Sequence, residues 1–368
     1  MPASPVHVSD AVWSAQDTTP DAIETALREL LAEKHAENGG FVPARVLNMV
    51  VFVDSEYSGE IANRLRGVGR YHASRTVVLS YEPRRERLNA RVTIASEGDP
   101  GPDEVAPLRE TAIVEIGERH LDDLPTIADP LVVSDLPTLL WSPHGHREEV
   151  DALLGLAQAM LIDSIEEPIW SAAIDRACAL SKLLYVVDLA WLRSTPWRER
   201  IAATFDPAAM RRELSSLSAL EIRHHPDSTV AAMLLVGWLA SRLHWELDHS
   251  EVAGHAGRDG VLTGNARAQG RDIALHLQAA PELSVPGLAG VQLSSESGPR
   301  LRLDRGPGGL RAERRDRDGT ARAWTLLGAS RGEGGILGEG IRQALLRDPT
   351  YTPALRAAQA MLPEAPPA

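Results

Sequence analysis

Apolar residues along the chain follow three different spacings, and each predicts an element. The run "RVLNMVVFV" (45–53) is almost continuously apolar, the mark of a strand buried on both faces. "LNARVTIA" alternates instead: Leu88, Ala90, Val92 and Ile94 share one face and Asn89, Arg91 and Thr93 the other, which predicts a half-solvated strand. "TTPDAIETALRELLAEKH" repeats every three to four residues. Ile23, Leu27, Leu30 and Leu31 then share a helix face, with Thr19 as cap, Pro20 at the first position and Gly39–Gly40 as the stop. A helix over 58–71, strands over 75–81, 110–117, 138–142 and 159–164, and a helix from 146 complete a first half of strands mixed with helices. That order predicts a mixed α/β sheet covered by helices.

The second half reads differently. A helix is expected over 168–182, followed by the tryptophan-rich "DLAWLRSTPWRER" (188–200) and a strand over 217–225. "TVAAMLLVGWLASRLHW" (229–245) is apolar nearly all round, so it predicts a core helix. Residues 249–270, rich in Gly, Ala and charge, read as a flexible insertion. "DIALHLQ", "GVQLSS", "RLRLDR", "LRAERR" and "ARAWTLL" follow at short spacing with Gly/Pro turns, an antiparallel meander closed by a helix near 336–347. The expected division is a leader over 1–18, an N-terminal α/β domain over 19–166 and a C-terminal α+β domain over 167–368.

The chain has 368 residues, 43% of them apolar, enough for a packed core. Its formal net charge of −13 disfavours nonspecific nucleic-acid binding, which needs a basic face. The longest helical apolar run, Val230–Ala240, is too short to span a bilayer, and "MPASPVHVSDAVWSAQD" has no basic start followed by an apolar core. A cytoplasmic protein without membrane or nucleic-acid partners is the expectation. Cys178 stands alone, so no intrachain disulfide can form, and its apolar helical setting predicts a buried, inert thiol.

Candidate chemistry is sparse. In "DLAWLRSTPWRER", Thr195 is expected to cap a helix, with Pro196 at its first position and Trp197 anchoring it. The helix dipole is positive there, so Arg198 needs an anion. An internal acid supplies it, or else a bound phosphate or an acidic partner protein. Trp191, Arg193, Thr195, Pro196, Trp197 and Arg198 are therefore the candidate partner-binding residues, since Trp and Arg dominate interface anchors. His144 and His146 in "WSPHGHREE" have metal-like spacing but no third ligand in view, which favours plain loop histidines. "GVGR" (67–70) lacks the third glycine of a dinucleotide loop and follows a helix. "GASRGEGGILGEG" (328–340) matches no phosphate-loop pattern. The segment 300–322 carries eight arginines against four acids, either the wet face of a hairpin or a dock for an acidic protein. No catalytic constellation, cofactor motif or metal set is expected.

"ARVLNMVVFVD", "YHASRTVVLSYEP", "LPTLLWSP", "DLAWLRSTPWRERIAATFDP" and "STVAAMLLVGWLASRLHW", in that order, resemble the OpcA family, the glucose-6-phosphate dehydrogenase assembly proteins. The resemblance is strong over roughly residues 20–245. It implies an N-terminal and a C-terminal domain, no catalysis of its own, and a role in assembly and activity of glucose-6-phosphate dehydrogenase, the entry to the oxidative pentose phosphate pathway and a source of NADPH. Some photosynthetic relatives respond to thiol redox state; with Cys178 alone, an intrachain form of that switch is excluded here. The alternatives are an enzyme acting on a sugar phosphate held at an arginine-lined helix start, or a sensor that binds a phosphorylated metabolite and signals to a partner.

Overall fold

The computed structural model describes residues 10–43, 45–68, 74–96, 104–247, 253–255, 260–327 and 332–362. Two compact units divide the chain. One holds the residues up to Ile162 with Leu184–Val187 and Leu337–Leu346; the other holds Asp163–Leu183, Asp188–Ile336 and the residues from Arg347 on.

The first unit is built on β1 (Ala11–Ala15), β2 (Phe41–Pro43), β3 (Leu47–Asp54), β4 (Ser74–Tyr81), β5 (Asn89–Ser96), β6 (Ala106–Ile116), β7 (Thr138–Trp141), β8 (Ala159–Ile162) and β9 (Tyr185–Asp188). Its helices are α1 (Pro20–Glu37), α2 (Ser58–Val68), α3 (Leu124–Ala128) and α4 (Arg147–Leu153). The strands lie in the order β1-β5-β6-β4-β3-β7-β8-β9, with β2 on β6. β6, β4, β3, β7 and β8 run parallel, and β5 and β1 add an antiparallel edge. The apolar run of β3 is buried at every residue but Asp54, as expected of a strand covered on both faces. Thr19 caps α1 as its position predicts, accepting from Ala22 N at 3.3 Å. Residues 11–15 of the expected leader are instead a strand: "AVWSA" alternates and pairs with β5. The sheet order reverses at β3, with β4 and β6 on one side and β7, β8 and β9 on the other. In open parallel sheets such a reversal opens a crevice beyond the carboxyl ends of the strands.

The second unit holds α5 (Trp170–Leu180), α6 (Leu189–Arg193), α7 (Thr195–Phe205), α8 (Ala208–Arg211), β10 (Leu217–His224) and α9 (Thr229–Leu243). β11 (Glu246–Leu247), β12 (Ala253–His255), β13 (Val261–Ala268), β14 (Arg271–Ala279), β15 (Leu288–Ser295), β16 (Arg300–Gly306), β17 (Gly309–Arg315) and β18 (Ala321–Leu327) follow. α10 (Gly332–Leu346) contributes to both units, and α11 (Tyr351–Ala360) belongs to the second. The sheet order is β11-β13-β14-β10-β15-β16-β17-β18, with β12 on β13. β10 enters between β14 and β15, parallel to the first and antiparallel to the second, so the expected meander is interrupted by an earlier strand. The expected insertion at 249–270 is corrected in part: β12 and β13 extend the sheet there, while 248–252 and 256–259 lie outside the described residues. α9 is buried over most of its surface, as its all-round apolar sequence predicts. At Gly237 it lies so close to α11 that a Cβ would overlap Ala354 O and sit 2.9 Å from Ala358 N.

Candidate functional site

The tryptophan-rich stretch forms a closed network inside the second unit. Asp188, extended at the end of β9, caps α6 by accepting from Ala190 N at 2.9 Å. α6 then runs into α7 through Ser194, whose backbone is already helical. Thr195 is therefore the first helical residue rather than the cap, a correction of the sequence expectation. Its hydroxyl accepts from Arg198 Nη2 at 2.9 Å. Ser194 Oγ donates to Trp191 O at 2.7 Å and accepts from Arg198 Nε at 3.1 Å. Pro196 follows as the second helical residue, one place later than expected and still within the first turn.

The arginines find their anions within the chain. Arg193 meets Asp163 through two 2.8 Å hydrogen bonds, the fork-to-fork geometry of a strong guanidinium–carboxylate pair. Arg198 lies over the Trp191 ring, 3.5 Å from its centroid, with Nη1 3.7 Å from Asp348. Asp348 also accepts from Trp191 Nε1 at 2.9 Å. Trp191, Trp197 and Arg198 are 2%, 3% and 8% exposed. Burial draws Arg198 down to about 10, against the pull of Asp348. For Asp348, burial pushes upward, but Thr350, Trp191 and Arg198 together hold it below the usual carboxylate range. Of the anions weighed from sequence, the internal acid is the one found.

The crevice at β3 in the first unit carries acids and rings. β3 ends in Asp54 and β4 in Tyr81, and the loop after β7 delivers His144 and His146. His146, in a left-handed conformation at φ 56°, lies 4.9 Å from the Phe52 ring and 6.2 Å from Tyr81. Its Nε2 is 3.3 Å from Asp54 Oδ2 and its Nδ1 4.0 Å from Glu149. His144, exposed, lies instead against Tyr57 at 4.4 Å. The two rings thus enter separate stacks. Tyr81 is raised first by burial, then by Glu118, Glu149 and Asp54, so several carboxylates act on this edge. Among the described residues no group of three or more His, Cys, Asp or Glu is placed to hold a metal ion.

The arginine segment 300–322 occupies β16, β17 and the start of β18. Arg302 pairs with Asp304, Arg314 with Asp316, and Arg317 with Glu213. Arg300 and Arg315 stand directly opposite each other on neighbouring strands. β18 is a terminal strand of its sheet, with Leu327 82% exposed. Of "GASRGEGGILGEG", residues 328–331 lie outside the described ones and the remainder is α10. Residues 69–70 of "GVGR" are likewise not described. His224 is buried and His225 caps the turn after β10 through Asp227 N.

Residues 66–179 match the family described as the N-terminal domain of the glucose-6-phosphate dehydrogenase subunit, and residues 184–355 match the one described as its C-terminal domain. A two-unit α/β protein with both of these domains in order belongs to the OpcA family. Two cyanobacterial relatives, both named "Putative OxPP cycle protein OpcA", are similar over shorter stretches. The Synechocystis protein is 28% identical over 129 residues, which is 34% of this chain and 27% of the relative. The Synechococcus elongatus protein is 27% identical over 141 residues, 37% of this chain and 32% of the relative. The match therefore spans less than a third of the length of each. The transcriptional regulator Gal80p from Kluyveromyces lactis is similar at 9% identity and a TM-score of 0.48, over 87% of this chain and 85% of that one. Among the described residues no helix is long and apolar enough to cross a membrane.

Proposed function

We propose that this chain is a noncatalytic assembly or activating factor of glucose-6-phosphate dehydrogenase, acting in the cytoplasm in support of the oxidative pentose phosphate pathway and its NADPH supply. The observation that carries this reading is the match of both family domains, in order, over most of the chain. The side chains at the crevice support it. Asp54, Glu118 and Glu149 would repel a pyrophosphate where a parallel sheet of this order usually holds one. Arg193 and Arg198, which the sugar-phosphate alternative would use, are engaged by Asp163 and Asp348.

In this reading the segment from Trp191 to Arg198, with Arg193, Thr195, Pro196 and Trp197, acts as part of the frame of the second unit rather than as the partner surface itself. The partner itself meets the outer face of β16 and β17. Arg300 and Arg315 stand opposite each other there with Glu313 3.9 Å from Arg315, a pair of cations that one carboxylate balances only in part and that an acidic surface would complement. The experiment is co-purification with the dehydrogenase of the same cell, and dehydrogenase activity with and without this chain. Stable association, higher activity of the complex, and no turnover above about 1 per second on sugar phosphates by the chain alone are expected. Turnover that survives further purification refutes the noncatalytic part, and absence of association refutes the partner.

A further inference from the structure

A row of buried polar residues crosses the sheet of the first unit. The register sets Thr138 of β7 beside Asn48 of β3, Asn48 beside Arg75 of β4, and Arg75 beside Glu110 of β6. All four are buried, and all lie in the amino-terminal half of their strands, at the end of the sheet opposite Asp54. Asn48 ties the row to the segment after α3. Its Nδ2 donates to Val133 O at 2.9 Å and Leu136 O at 3.2 Å, and its Oδ1 accepts from Val133 N at 2.9 Å.

Glu110 receives two guanidiniums. Arg75 Nε donates to Oε2 at 2.7 Å, and Arg45 Nε donates to Oε1. Both arginines line a recess of about 490 Å³, together with Arg28 and Ser134 and apolar walls from Leu31 and Val132. Arg28 has its own partner in Glu24, 3.3 Å away. The recess therefore gathers three guanidiniums against two carboxylates. A buried carboxylate held between two arginines accounts for the cohesion of the row. It does not account for the second positive charge, which is left facing an open space of small-molecule size.

The geometry points to a binding site for a small oxyanion ligand, bearing a phosphate or a carboxylate, held by Arg45 and Arg75 with its less polar part against Leu31 and Val132. Guanidiniums suit such groups because the planar fork matches two oxygens at once. Asn48 fixes the rim in advance, so little order is lost on binding. The site is separate from the crevice at β3 and from the proposed partner surface, and its test is independent of both.

The test is isothermal titration of the full chain in low-chloride buffer with inorganic phosphate, glucose 6-phosphate and gluconate. At least one of them is expected to bind with a Kd below about 1 mM. Glucose 6-phosphate binding with gluconate silent assigns the phosphate form, and gluconate binding assigns the carboxylate form. Arg45→Gln removes one fork, and Ala32→Trp fills the exposed mouth from α1 without touching the buried row. Each is expected to weaken binding tenfold or more. Should Arg45→Gln fail to fold, Ala32→Trp decides alone. No binding of any of the three below about 1 mM, or binding undiminished in either folded variant, overturns the assignment.

Discussion

Replacing Asp188 with Asn should change how stability depends on pH, and the structure sets both the sign and the size. Asp188 is wholly buried. Its Oδ1 accepts from Ser164 N at 3.2 Å and Ala190 N at 2.9 Å; its Oδ2 accepts from Ser164 Oγ and, at 3.3 Å, from Tyr351 Oη. Burial pushes the carboxyl up to about 6; hydrogen bonds from Ser164 oppose the rise and the Asp163 charge adds to it. Asn fits the same hydrogen bonds: its oxygen takes the two backbone N–H groups and its amide donates to the two hydroxyls. Between pH 3.8 and about 6 the native wild type keeps a proton that the unfolded chain has released. Its stability must therefore fall as pH rises, by about 1.4 kcal/mol per unit and about 3 kcal/mol in total, while the variant lacks this fall. The assay is urea unfolding of both proteins from pH 4 to 7, followed by tryptophan fluorescence. Six of the eight tryptophans lie in the second unit, so the signal reports mainly on it. The stability of the variant minus that of the wild type should grow by about 2.4 kcal/mol from pH 4 to 7, most of that total. A flat or opposite trend would mean that the four donors hold the carboxylate ionised despite burial.

The remaining expectations are simpler. Arg193→Ala should destabilise the second unit by about 3–5 kcal/mol, because it leaves the buried Asp163 carboxylate without its two-pronged guanidinium; Arg198→Ala should cost less, because Asp348 is partly exposed and keeps its hydrogen bonds from Thr350 and Trp191; an unchanged melting temperature in both would refute the closed network. Gly237→Ala should cost several kcal/mol, near the upper end of about 1–3 kcal/mol for overpacking or beyond, since the added Cβ meets α11 backbone rather than a movable side chain; wild-type stability in thermal unfolding would contradict it. Burial pushes the Cys178 thiol up to about 11, so the native chain should react with a thiol reagent only on unfolding, and dehydrogenase activation should ignore oxidants; fast labelling of native protein would overturn this.

Much of the architecture is legible where one residue type repeats. β3 declares itself by a nearly continuous apolar run and β5 by alternation, because burial on two faces or one dictates those patterns. β13 does not: in "VLTGNARA" only Leu262 and Ala266 are buried, so neither pattern forms. The need of Arg198 for an anion follows from the helix dipole, but its partner stands 150 positions away and only folding reveals it. The polar row left a local trace that sequence reasoning passed over: Asn48, Arg75, Glu110 and Thr138 each stand near the start of an apolar strand. One such residue reads as a strand boundary, and only the register turns four of them into a row.

The contact at Gly237 also has a consequence for synthesis on the ribosome. α9 is apolar nearly all round, and the helix that covers its glycine face is translated roughly 100 residues later, a wait of about 5–20 s at ordinary elongation rates. α5 waits longer still, since Cys178 meets Leu355 across 177 positions. Through that interval the nascent second unit presents an uncovered apolar helix, the kind of surface that chaperones shield, and its aggregation risk is set by translation speed as much as by the stability of the finished fold.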